Sequence, residues 1–185
     1  MKKIIFLDRD GTINVDTGYT HKISDFKFEK NAVNGLKRLQ EEGFEFIITT
    51  NQSGIARNFF DEQAFWKFND YVVSKLRSNG IHILKTYFSP YHPEKGVGKY
   101  KKNSRCRKPG FGMLKEAAKE FDMDKKNSWV IGDKWADVKA GADFGARTIL
   151  VQTGKAGTSD FHYKVDTDYI AEDLLDAAKF IAQYE

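Results

Sequence analysis

Residues 2–12 read KKIIFLDRDGT, an apolar run rich in isoleucine that ends abruptly in Asp8, Arg9 and Asp10 and then a glycine. The apolar part, 2–8, has the length and β-branched content of a buried strand. If it is one, the two carboxylates stand at its carboxyl end. The same alternation continues along the chain. NAVNGLKRLQEEG (31–43) sets Val33, Leu36, Leu39 and Gln40 at helical spacing and stops on Gly43, and FEFIITT (44–50) is a second strand. DEQAFWKFNDYVVSKLRSNG (61–80) opens on Asp61 as N-cap, carries Ala64, Phe65, Phe68, Val72 and Leu76 on one face, and closes at Gly80. IHILKTYFS (81–89), SWVIGD (128–133) and ARTILVQT (146–153) read as further strands. FGMLKEAAKEFD (111–122), WADVKAGADFG (135–145) and AEDLLDAAKFIAQYE (171–185) read as helices.

Strands that alternate with helices predict an α/β fold, a mainly parallel sheet covered on both faces. At 185 residues the chain is expected to form one domain, 1–185, that buries roughly 70% of its unfolded surface. Its single cysteine excludes an internal disulfide, and no apolar run nears the ~18 residues of a membrane helix. Charges arrive at Asp8 to Asp10, too early for a signal peptide, so the expectation is a soluble, cytoplasmic protein.

The net charge of +4 is unevenly placed. Residues 94–108 hold seven basic side chains and one acid, a net of +6, while the other 170 residues sum to −2. The excess sits in SPYHPEKGVGKYKKNSRCRKPG (89–110), with all three prolines and the only cysteine. Such a stretch suits a metal loop, a nucleic-acid patch or the wall of a site for anions.

In open α/β sheets ligands bind beyond the carboxyl ends of the strands. There the first strand offers Asp8 and Asp10, which can share a divalent cation, divide attack and proton transfer between them, or simply make an Asp10-Gly11 turn. The second ends in TTNQSG (49–54), whose hydroxyls, amides and backbone N–H groups suit phosphate oxygens or an ordinary polar loop. The fourth ends in GDKWAD (132–137), where Asp133 is a metal ligand or a helix N-cap. Lys108 is a phosphate contact or a solvated lysine. Each cluster is weak alone; together they carry the order Asp-x-Asp, Thr, Lys, Asp, each at, or a loop after, the carboxyl end of a predicted strand.

That order resembles the haloacid dehalogenase superfamily of phosphotransferases, whose first motif Asp-x-Asp-Gly-Thr stands at Asp8 to Thr12. FLDRDGTINVDTGY, TTNQSGIAR, RCRKP and GDK are similar to the branch of the D-glycero-D-manno-heptose-1,7-bisphosphate 7-phosphatases and related histidinol-phosphatases. The resemblance implies a Rossmann-like three-layer sandwich without a large cap domain. It implies Asp8 as nucleophile, Asp10 as general acid and base, and Thr50 and Lys108 as holders of the phosphoryl oxygens. Mg²⁺ would take the Asp8 and Asp133 carboxylates and the Asp10 backbone carbonyl. Substrate contacts would come from Asp16, Thr17, Gly18, Tyr19, Asn51, Gln52, Ser53, Arg107 and Lys134. Asp16 to Gly18 also reads as a plain turn, and Lys134 as a salt bridge to the acidic cluster.

Many members of the branch hold a structural zinc with a Cys-x-His and a Cys-x-Cys pair. Here those positions read Ser89-Pro90-Tyr91 and Ser104-Arg105-Cys106, so one ligand of four remains and His92 is out of register. The expectation is no zinc, with the three prolines restraining the loop. His21, His82 and His162 carry no functional signal, and Trp135 either edges the site or packs on the next helix. The resulting expectation is a Mg²⁺-dependent phosphatase for a small phosphorylated sugar, monomeric, with no nucleic-acid or membrane partner. A histidinol-phosphatase is the alternative; a nucleic-acid end phosphatase and a phospho-accepting signalling module stand further off.

Overall fold

The computed structural model describes residues 1–158 and 165–184. His162 lies outside the described residues. Six strands form one sheet: β1 (Ile4–Leu7), β2 (Glu45–Asn51), β3 (Ile83–Ser89), β4 (Trp129–Gly132), β5 (Arg147–Val151) and β6 (Tyr169–Ala171). Their order is β3-β2-β1-β4-β5-β6, and every pairing is parallel. Between them run α1 (Ala32–Glu41), α2 (Ser53–Ala56), α3 (Glu62–Ser78), α4 (Gly112–Glu120) and α5 (Trp135–Phe144), and α6 (Leu174–Tyr184) follows β6.

Successive residues of β1 serve opposite faces because side chains alternate across a strand. Ile5 and Leu7 join Phe46, Ile48, Trp129 and Ile131 under Leu36 and Leu39 of α1, Phe68, Val72 and Leu76 of α3, and Ala177 and Ile181 of α6. Ile4 and Phe6 join Ile47 and Val130 under Met113, Leu114 and Ala117 of α4 and Phe144 of α5. A run buried on both faces is therefore apolar throughout, which is why IIFL shows no polar alternation. Each such side chain contributes roughly 1.5–3 kcal/mol by leaving water.

Asp61 caps α3 as the sequence suggests, its carboxylate accepting the Ala64 N–H at 2.8 Å. Gly35 lets α1 and α6 touch, since a Cβ there would strike the Leu174 backbone. Differences from the sequence reading concern ends and short pieces. Helix α6 begins at Leu174, because residues 169–171 form β6 at the sheet edge. A three-residue strand and the four-residue α2 are too short to leave a periodic signal. The N-cap of α5 is Lys134, not Asp133, with Asp137 accepting the Lys134 N–H at 3.1 Å.

Between β1 and β2 stand a loop with one short 3-10 turn (Ile23–Asp25) and α1, so no cap domain covers the sheet end. Strand order reverses between β1 and β4, which opens a crevice at their carboxyl ends. Among the described residues no helix is long and apolar enough to cross a membrane.

Candidate active site

The register pairs Leu7 with Ile131, and the Asp8 N–H donates to the Ile131 carbonyl at 3.0 Å. Asp8 and Asp133 therefore emerge side by side at the switch point. Gly11 makes room for this: its φ is +89°, a conformation side chains rarely adopt, and a Cβ there would collide with the Asp133 carboxylate. The Asp133 Oδ2 accepts the Lys155 N–H at 2.7 Å, and its backbone carbonyl accepts from Gly157 at 2.8 Å.

Asp8 is buried between two ammonium groups. Lys108 Nζ donates to Oδ1 at 3.0 Å, and Lys134 Nζ meets Oδ2 at 3.3 Å. Lys108 is not a solvated lysine: it is 2% exposed, and its ammonium also donates to the Thr49 carbonyl at 2.6 Å and pairs with Asp137. Burial alone would raise the Asp8 pKa, but Lys108 and Lys134 outweigh it and hold the carboxyl well below the usual range. Burial works against the charged form of both lysines, yet Asp137 and Asp8 raise Lys108, and Asp8, Asp133 and Asp137 raise Lys134. Burial pushes Asp133 up to about 7 despite Lys134, with Asp8 and Asp137 adding like-charge repulsion. Four carboxylates (Asp8, Asp10, Asp133, Asp137) here face three cations (Arg9, Lys108, Lys134), so the cluster is short of positive charge.

Asp10 is held differently. Arg9 grips both its oxygens at 3.0 Å, Asn14 Nδ2 donates to Oδ1 at 3.0 Å, and Gln52 Nε2 donates to Oδ2 at 2.9 Å. Arg9 is fully buried, donates to the Thr20 carbonyl at 3.2 Å, and lies over the rings of Phe68 and Phe65 at 4.8 and 5.3 Å. Gln52 also donates to Thr50 Oγ1 at 2.9 Å, so one amide links the second acid to the threonine. With four donors on it, Asp10 can pass a proton only after turning an oxygen toward the cleft.

The other residues singled out from the sequence fall into two groups. Asp16, Gly18, Tyr19, Asn51, Gln52, Ser53, Arg107 and Lys134 line one cleft of about 520 Å³ together with Asp8, Asp10, Thr50 and Lys108. Thr17 does not line it; its N–H donates to Thr20 Oγ1 at 3.0 Å. Asp16 Oδ1 accepts the Gly18 N–H at 2.9 Å, so the turn forms and it borders the cleft. Asn51, which lines the cleft, also braces Lys108. Its amide donates to the Lys108 carbonyl and its oxygen accepts the Lys108 N–H, both at 3.0 Å. Trp135 starts α5 beside Gly157, and the cleft wall passes from Lys134 to Ala136.

Sequence reasoning missed Arg9, Asn14, Arg57, His92, Asp137 and Lys155, all of which shape the clamp or the cleft. A signal existed for two. Arg9 lies between the two aspartates just past β1, where a buried arginine needs a paired acid, and Asp10 supplies it. Asp137 stands one helical turn after Asp133 in GDKWAD.

Several contacts fix the 89–110 loop against this cleft. The Val97 N–H donates to the Ala56 carbonyl at 2.9 Å, and Tyr100 Oη donates to Glu62 at 2.7 Å. His92 Nδ1 accepts the N–H groups of Glu94 and Lys95 at 3.2 and 2.9 Å, and Cys106 packs on the α4 side of the core. Arg107 Nη1 donates to the Tyr91 carbonyl at 3.3 Å.

Among the described residues, Asp8, Asp133 and Asp137 bring carboxylate oxygens within 4.8 Å of one another. An all-oxygen donor set of this kind suits a hard divalent cation. The Lys134 ammonium rests on two of these carboxylates, at Asp8 Oδ2 and Asp133 Oδ1, and on the Asp10 carbonyl, which marks those three oxygens as a seat for positive charge.

Comparison with known proteins agrees with this geometry. A family model described as HAD-hydrolase-like matches residues 105–177. The chain is 40% identical over 182 residues to a D-glycero-beta-D-manno-heptose-1,7-bisphosphate 7-phosphatase of Haemophilus ducreyi, covering 97% of this chain and 98% of that protein. It is 41% identical over 184 residues to the enzyme of the same name from Pasteurella multocida, covering 98% and 97%. A crystal structure of the D,D-heptose 1,7-bisphosphate phosphatase of B. bronchiseptica, complexed with magnesium and phosphate, superposes with a TM-score of 0.84 at 28% identity, covering 99% of both chains. The chain therefore belongs to the haloacid dehalogenase superfamily, and within it to the family of the D-glycero-D-manno-heptose-1,7-bisphosphate 7-phosphatases.

Proposed function

We propose that this protein is a Mg²⁺-dependent phosphatase that removes the 7-phosphate of D-glycero-D-manno-heptose 1,7-bisphosphate, in the supply of nucleotide-activated heptose. The observation that carries the reading is the Asp8 carboxylate, buried between two lysines and opening on the cleft. There it can approach phosphorus in line. An Asp8 oxygen forms a bond to phosphorus while the bond from phosphorus to the sugar oxygen breaks, leaving an aspartyl-phosphate. Asp10, once protonated and turned from its donors toward the cleft, delivers that proton to the departing sugar oxygen. It then takes a proton from the attacking water, which releases phosphate and restores Asp8.

Lys108 and Thr50 hold the phosphoryl oxygens; both are anchored beforehand, Lys108 by Thr49 and Asp137 and Thr50 by Gln52, so little reorganisation is needed. Mg²⁺, held by the Asp8 and Asp133 carboxylates and the Asp10 carbonyl, would supply the charge that lets two anions meet. The bisphosphate is favoured over histidinol phosphate because Arg57, His92, Arg107 and Lys155 add cationic or protonatable side chains to the cleft wall. The loop 89–110 works without zinc in this reading: His92 Nδ1 is committed to two backbone N–H groups and Cys106 to the core. Elemental analysis giving one zinc per chain would end that part.

The test of function is phosphate release with Mg²⁺ from both anomers of the heptose bisphosphate, histidinol phosphate and a phosphate-ended oligonucleotide. Turnover of a heptose bisphosphate well above the others supports the reading. Preference for histidinol phosphate or the oligonucleotide overturns it.

A further inference from the structure

Lys134 is the one catalytic-cluster cation whose ammonium rests on the metal-ligand oxygens rather than beside them. Its Nζ lies 2.7 Å from Asp133 Oδ1, 3.3 Å from Asp8 Oδ2 and 3.4 Å from the Asp10 backbone carbonyl. These are the three groups assigned above to Mg²⁺, so the inference rests on that assignment. Lys108, by contrast, touches Asp8 through the other oxygen and is tied down by Thr49 and Asp137.

Magnesium sits about 2.1 Å from its oxygen ligands. Brought to these three oxygens from either side, a dication comes within a few ångström of Nζ, and two cations at that range repel strongly in a buried site. Lys108 has nowhere to go at 2% exposure, whereas the Lys134 side chain is 30% exposed and borders the cleft. A four-carbon stem with a compact ammonium can swing while its backbone stays fixed as the N-cap of α5.

We propose that Lys134 is an exchangeable counter-ion for the metal seat. Its ammonium neutralises Asp8, Asp133 and the Asp10 carbonyl until a divalent cation displaces it into the cleft, where it faces the incoming anion. One side chain thus serves twice: it offsets repulsion among the carboxylates before metal arrives, and it adds positive charge beside the phosphoryl group afterwards. The exchange weakens the apparent affinity for Mg²⁺, because the ion must break three contacts to enter.

Titration calorimetry of the full chain with Mg²⁺ tests this on wild type and Lys134→Met, which keeps the stem and removes the charge. The expected result is Mg²⁺ binding tighter by roughly tenfold or more in the variant. Affinity that is unchanged or weaker overturns the proposal. Wild type supplies an independent readout that needs no variant: amine-selective labelling of Lys134, followed by mass spectrometry, with and without saturating Mg²⁺. Labelling should rise severalfold when Mg²⁺ is added; equal or lower labelling means the lysine stays in place, and the exchange is wrong. Neither measurement uses a sugar phosphate, so a failed substrate panel would count against the proposed function and not against the exchange.

Discussion

Replacing Asn51 by alanine separates a substrate contact from a positioning role. The wild-type carboxamide spans the Lys108 peptide, donating to its carbonyl and accepting its N–H at 3.0 Å each. At about 1 kcal/mol net per hydrogen bond, Asn51→Ala loses about 2 kcal/mol. For a chain of this length that lowers the unfolding midpoint by roughly 4–8 °C. The kinetic effect passes through Lys108, whose Nζ stands 3.0 Å from the Asp8 oxygen. A reacting group displaced by about 1 Å costs on the order of 10²-fold in rate. Thermal unfolding and steady-state phosphate release on the same preparation read both quantities. The expected outcome is a lowered midpoint and a kcat reduced roughly 10²-fold with KM within a few-fold of wild type. If the midpoint and kcat hold while KM rises about tenfold, Asn51 binds substrate directly and the positioning argument fails.

Arg9→Met removes the buried half of an ion pair and should cost about 3 kcal/mol or more in urea unfolding, with turnover falling because Asp10 loses its bidentate grip. Wild-type stability and rate in that variant would show the clamp to be dispensable. Asp8→Asn and Asp10→Asn should each abolish turnover while circular dichroism stays native; substantial activity in Asp8→Asn would rule out the covalent route. His92 offers a pH dependence. Burial, then Arg107, Arg57 and Lys95, hold its pKa below the usual 6.5. The unfolded chain therefore binds a proton before the folded one does, so the His92 contribution to stability is complete above 6.5 and is lost as pH falls through the lowered folded value. A proton on Nδ1 also breaks its two acceptor bonds to Glu94 and Lys95. Protection of the amides of 94–102, after correction for the intrinsic slowing of exchange in acid, should fall as the pH is lowered through and below 6.5, and His92→Phe should remove that dependence; protection that stays constant with pH in wild type would refute it.

The electrostatics of the cluster suit the proposed chemistry. A dication and a phosphoryl dianion can be added to a site with four carboxylates and three cations only if some groups are already poised. Asp8 is kept charged by two lysines, which a nucleophile requires. Asp133, pushed up to about 7, is the carboxylate whose burial a cation would relieve.

The order of the longer elements, β6 and α2 apart, was legible from the chain alone because local forces decide it. Doubly buried strands such as IIFL and WVIG read as apolar runs, amphipathic helices repeat at 3.6 residues, and Asp61 and Gly43 punctuate them. The strand-end rule then located Asp8, Thr50, Lys108 and Asp133 before any geometry was known. What the chain alone left undecided is which groups hold which. Asn51 meets Lys108 across 57 residues, Gln52 meets Asp10 across 42, and Lys134 reaches Asp8 across 126. Spacing along a chain carries no information about partners that distant. Only the closing of the parallel sheet brings them within hydrogen-bond reach, and with them the clamp on Asp10, the buried pair of Asp137 with Lys108, and the lysine on the metal seat.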